Sequence, residues 1–231
     1  IWGGDDTINQ VRKSPLPARS TDIAFSDRFS FAMINSDYFL NQSPNSRMKL
    51  CESFYNDTYL MDQNACSSPH IVFWYGENIN KAKKIFWEGL SSTVEKKKYN
   101  IEEIIAVEKH LEVCKKAIDL DGKFIFKKFG NEIYLLTLKK LPNNVDELRG
   151  KCGFFFEYNI KNTSEISSFI NTKFQTLTYY GFKKEDLAEI IINNNLTGID
   201  RIVPIGRALD IELVWDGFDM INSLSRQISV S

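Results

Sequence analysis

Apolar residues follow two patterns along this chain. Residues 30–34, 71–75, 133–138 and 154–158 are short runs that are apolar at most positions. Such runs fit strands buried on both faces, as in a parallel sheet covered by helices. Elsewhere apolar residues recur every three or four positions. Met48, Leu50, Cys51, Phe54 and Tyr55 predict a helix over 44–59, and Ala82, Ile85, Phe86 and Leu90 one over 80–90. Ile104, Ile105, Val107, Leu111, Cys114 and Ile118 predict a long helix over 101–119 with those residues inward. Further helices are expected over 164–173 and 184–194, a hairpin from 124–126 and 133–138, and strands at 175–180 and 200–204. Strands alternating with helices argue an α/β fold.

Composition narrows the function classes. The chain has 231 residues, 43% of them hydrophobic, and a formal net charge of -1. The charge balance leaves no basic footprint for nucleic acid. No apolar run approaches the roughly 20 residues of a membrane span. Cys51, Cys66, Cys114 and Cys152 are widely spaced and make no zinc pattern, so no metal is expected. Few cysteines and no visible secretory signal point to a cytoplasmic protein with free thiols. The chain begins Ile1-Trp2-Gly3-Gly4 without an initiator methionine, which reads as a fragment. Lys96, Lys97 and Lys98 read as a solvated face, and His110 as a surface residue.

The stretch 59–70 is the main chemical candidate. It places Cys66 on a short loop between a helical run and the apolar run at 71–75. A thiol held there can be rigid and open to a cleft, as a nucleophile requires. A small buried hydrophobe is the other reading of a free cysteine. Asn64, Ser67, Ser68 and His70 crowd polar groups around the thiol, and Pro69 keeps the loop from becoming helical. A second candidate lies at Gly3 and Gly4, between a strand end and a helix start, where a turn can present N–H groups to a phosphate. The full GxGxxG spacing is absent, and a plain turn reads equally well.

Together WGGDDT at 2–7, DQNACSSP at 62–69, and WDGFD at 215–219 followed by LSR at 224–226 resemble the acyl-CoA reductase (LuxC-like) family. That family is similar to the aldehyde dehydrogenase superfamily. The resemblance implies an aldehyde-dehydrogenase-like catalytic domain with the last strands of a Rossmann-like cofactor domain. Residues 1–58 would close the nucleotide-binding domain, and 59–231 would form the catalytic domain. Cys66 would take an acyl group from acyl-CoA or an acylated partner protein as a thioester. NADPH would reduce the thioester to aldehyde, with the backbone N–H of Cys66 as one oxyanion donor. Asn64, Ser67 and His70 would support the thiol. Gly3, Gly4, Ser26 and Arg28 would lie near the cofactor, with Arg28 reaching a 2′-phosphate or forming a surface salt bridge.

The general-base glutamate of hydrolytic relatives falls by spacing within 30–34, which contains no acid. A thioester there is expected to outlast hydrolysis. The position expected for the ribose-binding glutamate holds Lys151 and Cys152. Dimerisation is expected by analogy, and no, or very weak, reductase turnover is expected from a chain lacking the rest of the cofactor domain. Acyl transfer without reduction, or a partner-docking module with a structural Cys66, are the alternatives.

Overall fold

The computed structural model describes residues 1–230. Its main strands are β1 (Phe29–Asn35), β2 (Pro69–Tyr75), β3 (Phe124–Phe129), β4 (Ile133–Leu138), β5 (Phe154–Asn159), β6 (Phe174–Tyr180) and β7 (Arg201–Pro204). They form one seven-stranded sheet in the order β3-β4-β5-β2-β1-β6-β7. The β3–β4 hairpin is antiparallel, and the other neighbours are parallel. A separate two-residue hairpin joins β8 (Val214–Trp215) to β9 (Phe218–Asp219).

The helices are α1 (Asp5–Val11), α2 (Ser36–Leu40), α3 (Pro44–Thr58), α4 (Ile79–Lys96), α5 (Glu103–Asp119), α6 (Lys184–Asn193) and α7 (Met220–Leu224). The start of α3 is written locally: Ser43 accepts the Ser46 N–H at 3.1 Å, and Pro44 occupies the first turn, where its missing N–H costs nothing.

Strand side chains alternate between faces, and the central strands are apolar on both. Phe31, Met33, Ile71, Phe73 and Phe156 enter one core with Val113 of α5 and Leu187 of α6. Ala32, Ile34, Val72, Trp74 and Phe155 enter the other with Phe54 of α3 and Phe86 and Leu90 of α4. Glu157 is a charge inside the second core, and it is fully partnered. It accepts Trp87 Nε1 at 2.8 Å, Trp74 Nε1 at 3.0 Å and Thr137 Oγ1 at 2.6 Å, and pairs with Lys83 Nζ at 3.1 Å.

β1 lies between β2 and β6 near the centre of the sheet, so residues before and after residue 58 share one sheet. Two expectations change. The helix expected over 164–173 is a 3₁₀ turn, Thr163–Ser168, closed by an Asn162–Glu165 capping box. The predicted inner face of α5 points outward: Ile104, Val107, Leu111 and Ile118 are 56%, 54%, 55% and 82% exposed. Lys109 and Val113 are the residues α5 buries. Lys109 Nζ donates to the carbonyls of Asn131, Glu132 and Cys152 at 2.7, 3.1 and 2.6 Å. An ammonium with three donors can answer three main-chain acceptors at once, which no apolar side chain could do.

Candidate active site

Cys66 lies in the turn that leads into β2, so it sits at the amino-terminal edge of the parallel strands. Open α/β sheets more often place ligands at the carboxyl edge. Here the segments entering β1, β2, β5 and β6 gather around the thiol. A cavity of about 350 Å³ beside it is lined by Arg28, Gln63, Cys66, His70, Arg149 and Gly150, among others.

The turn is held by unusual backbone and by buried polar bonds. Asp62 and Gln63 both adopt left-handed conformations, with φ of 50° and 61°. Such a pair persists only when its surroundings fix it. The buried Gln63 amide donates to the Pro69 and Phe154 carbonyls at 3.1 Å each, and its oxygen accepts the Gly153 N–H at 3.1 Å. The Asp62 carbonyl accepts the Cys152 N–H at 3.0 Å, and Tyr99 donates to the Asp62 carboxylate at 2.6 Å. Gly153 has a φ of 79°, and a Cβ there would stand 2.0 Å from the Glu132 carbonyl oxygen. Only glycine allows this approach of the 150–153 segment to the cysteine turn.

The sulfur is half-buried. Gln175, the second residue of β6, donates its Nε2 to Cys66 Sγ at 3.3 Å and also to the Asp216 carboxylate. Asp216 stands at the tip of the β8–β9 hairpin, where Asp216-Gly217 have φ of 50° and 77°, the pattern of a tight Asp-Gly hairpin turn. Its carboxylate lies 3.6 Å from Arg28 Nη1. Ser30 Oγ donates to the Cys66 carbonyl at 2.7 Å and accepts the Thr176 N–H at 3.1 Å. Burial raises the thiol pKa above its ordinary value, and the Asp216 charge adds to that. Gln175 and the backbone N–H groups of Cys66 and Ser67 act the other way, by hydrogen bonding that favours the thiolate.

The sequence candidates separate in space. Asn64 donates to the Met61 carbonyl at 3.2 Å and serves the turn. Ser67 is buried beneath it, and Ser68 Oγ donates to the Asp57 carbonyl at 2.7 Å. His70 lines the cavity, yet its Nδ1 lies 3.1 Å from the Gly150 carbonyl oxygen and 3.2 Å from its N–H, and the ring stacks on Phe29 at 5.3 Å. Burial first, then the nearby Arg149 charge, lowers its pKa to about 3, so it is neutral at pH 7.

Arg28 spends its guanidinium inside the protein. Nη2 donates to the Phe174 carbonyl at 2.5 Å and to the Asp200 carboxylate, and Nε reaches the Lys173 carbonyl at 3.4 Å. Gly3 and Gly4 are followed by Asp5 and Asp6 in the first turn of α1, a charge that disfavours a phosphate there. Ser26 precedes Arg28 and is half-buried. Sequence reasoning finds neither Gln175 as the contact of the thiol nor Asp216 behind Gln175, although Asp216 lies in the WDGFD stretch. Asp-Gly is a turn pair, but no local pattern says what such a turn faces.

All four cysteines are free thiols. Among the described residues no cluster of His, Cys, Asp or Glu is placed to hold a metal ion, and no helix is long and apolar enough to cross a membrane.

Residues 1–110 match the acyl-CoA reductase (LuxC) family, a span that includes both WGGDDT and the cysteine turn. The comparison with curated proteins gives no match. Among solved structures, the chain is similar to a lactaldehyde dehydrogenase, with a TM-score of 0.57 and 8% identity over 88% of this chain and 44% of that one. A mutant of aldehyde dehydrogenase C from Pseudomonas syringae, in complex with NAD+ and octanal, gives a TM-score of 0.56 and 8% identity over 88% and 44%. The Δ-pyrroline-5-carboxylate dehydrogenase from Mycobacterium tuberculosis gives 0.55 and 10% over 87% and 41%. At these identities the likeness is one of fold: a mixed α/β chain with the aldehyde dehydrogenase fold, spanning less than half the length of each of these relatives.

Proposed function

We propose that this chain carries the acyl-accepting centre of an acyl-CoA reductase, with Cys66 as the nucleophile. The observation that supports this most is the seat of Cys66: a half-buried sulfur on a hydrogen-bonded, left-handed turn beside a cavity of about 350 Å³, inside the span that matches the family. The Cys66 thiolate attacks the carbonyl carbon of an acyl thioester. A C–S bond to Cys66 forms, and the C–S bond to CoA, or to the thiol of an acylated partner protein, breaks. The proton given up by Cys66 ends on the departing sulfur. The Cys66 and Ser67 N–H groups, which act on the sulfur by favouring the thiolate, are the main-chain donors assigned in this reading to the charge that develops.

Reduction to aldehyde rests on the family match, with a nicotinamide nucleotide, NADPH in this reading, as the hydride source. Gly3, Gly4 and Arg28 do not favour a phosphate site, because Arg28 is bonded internally and Asp5 and Asp6 follow the glycines, which leaves Ser26 alone of the four. Acyl capture is therefore the step these residues support. Acyl transfer onward without reduction is the second reading, favoured by the same internal bonding of Arg28. A single-turnover assay tests the proposal: free CoA released from a long-chain acyl-CoA, quantified by chromatography, is expected to approach one equivalent per chain and to vanish in Cys66→Ser. Equal release from Cys66→Ser would overturn it.

A further inference from the structure

We infer that Gln175 is the side-chain donor that favours the thiolate form of Cys66, and that Asp216 is the positioning residue that fixes the Gln175 amide in its donating orientation. This deepens the reading of Cys66 as the nucleophile and rests on it.

The two amide hydrogens of Gln175 account for both neighbours: Nε2 faces Cys66 Sγ at 3.3 Å and also faces the Asp216 carboxylate. Turning the amide over would put its oxygen against a carboxylate, two acceptors with no proton between them. The other end agrees, since Gln175 Oε1 lies 3.3 Å from Thr176 Oγ1, which can donate to it. The orientation is thus set from both sides.

The charges around the sulfur explain why a neutral donor is needed. Asp216, only 3% exposed, faces the site from the β8–β9 tip. Arg28 and Asp27 face it from the segment before β1, Arg149 and Lys151 from the segment before β5, and His70 from β2. Asp200 stands behind Arg28 and shares its guanidinium. His70 is neutral and bonded to Gly150, and Arg28 is engaged by Asp200 and Asp216. Arg149 is bonded to Asp27 at 2.9 Å and to the Arg28 carbonyl at 3.1 Å. Among these groups, Gln175 is the one whose side-chain hydrogen bond reaches the sulfur. Its Nε2 bonds both the thiol and Asp216, so the carboxylate orients the donor.

The test uses the 231-residue chain. The alkylation rate of Cys66 by iodoacetamide is followed against pH, with peptide mass spectrometry isolating Cys66 from Cys51, Cys114 and Cys152. Gln175→Met keeps the volume and removes the donor. Its midpoint is expected to rise by about one pH unit, which slows alkylation at pH 7 about tenfold. Gln175→Glu, read if the first variant fails to fold, is expected to raise the midpoint at least as far. A structural role alone would change the rate at every pH without moving the midpoint. An unchanged or lowered midpoint in a folded variant overturns the inference. Because no acyl-CoA is present, this result is independent of whether Cys66 accepts acyl groups.

Discussion

The side-chain amide of Gln63 is bonded to the main chain of Gly153, 90 residues further along, at 3.1 Å. The same amide donates to Pro69 and Phe154, so one buried side chain joins the cysteine turn to the start of β5. Gln63→Leu fits the volume but strands three main-chain groups. It is expected to destabilise the protein by about 2 kcal/mol or more, read from urea unfolding. It should also slow Cys66 alkylation, because the left-handed turn loses its anchor. A variant as stable as the parent would show that the turn is held by its own sequence.

Arg28 is placed as an internal tie between β6 and the β8–β9 tip. Arg28→Met leaves Asp200 and Asp216 facing each other without a cation. A loss of about 2 kcal/mol is expected from urea titration, since the buried Asp216 carboxylate loses its cation while Asp200 remains open to water. An exposed phosphate ligand would behave oppositely, weakening nucleotide binding at unchanged stability.

His70 gives the fold a defined acid limit. Its pKa is about 3 in the folded chain against 6.5 ordinarily, so between those values the unfolded chain binds the extra proton. Stability from this group is whole above about pH 6.5 and is lost as pH falls toward 3, on the order of 4 kcal/mol across the window. His70→Asn removes the titration. Its unfolding free energy is expected to change less between pH 7 and pH 4 than that of the parent. Parallel curves would mean that the imidazole is not held neutral.

The outward stripe on α5 separates the observed packing from the sequence reading. Leu111→Lys is expected to change stability by no more than about 0.5 kcal/mol, as an exposed substitution does. Val113→Ala should cost about 1–2 kcal/mol, because Val113 is in the core. Thermal unfolding of the two variants settles the helix orientation, and the reverse ranking would restore the inward stripe.

These cases show what was legible. Phe31, Met33, Val72 and Trp74 read as strand core from their neighbours alone, because a two-sided parallel sheet makes near-continuous apolar runs. The helix over 44–59 was legible from the 3–4 spacing of Leu50, Cys51, Phe54 and Tyr55, which the structure buries. Cys66 was legible as a candidate from its turn-like surroundings, and the ordered motifs sharpened its role. The α5 face was not legible, since a 3–4 spacing identifies a face without saying what lies opposite it. Lys109 is buried because three carbonyls from 131, 132 and 152 converge on it. Gln175 and Asp216 escaped for a related reason: their meeting with Cys66 spans 109 residues in one case and joins a hairpin tip to β6 in the other. Periodicity carries no information on contacts at that range.

The claim that Cys66 accepts an acyl group is tested most directly by peptide mass spectrometry. The chain is incubated with palmitoyl-CoA, digested, and the adduct located by peptide mapping. One palmitoyl group is expected on the Cys66 peptide, lost on treatment with hydroxylamine as a thioester is, and absent in Cys66→Ala. A folded chain that stays unmodified, or an adduct that persists in Cys66→Ala, would contradict the account.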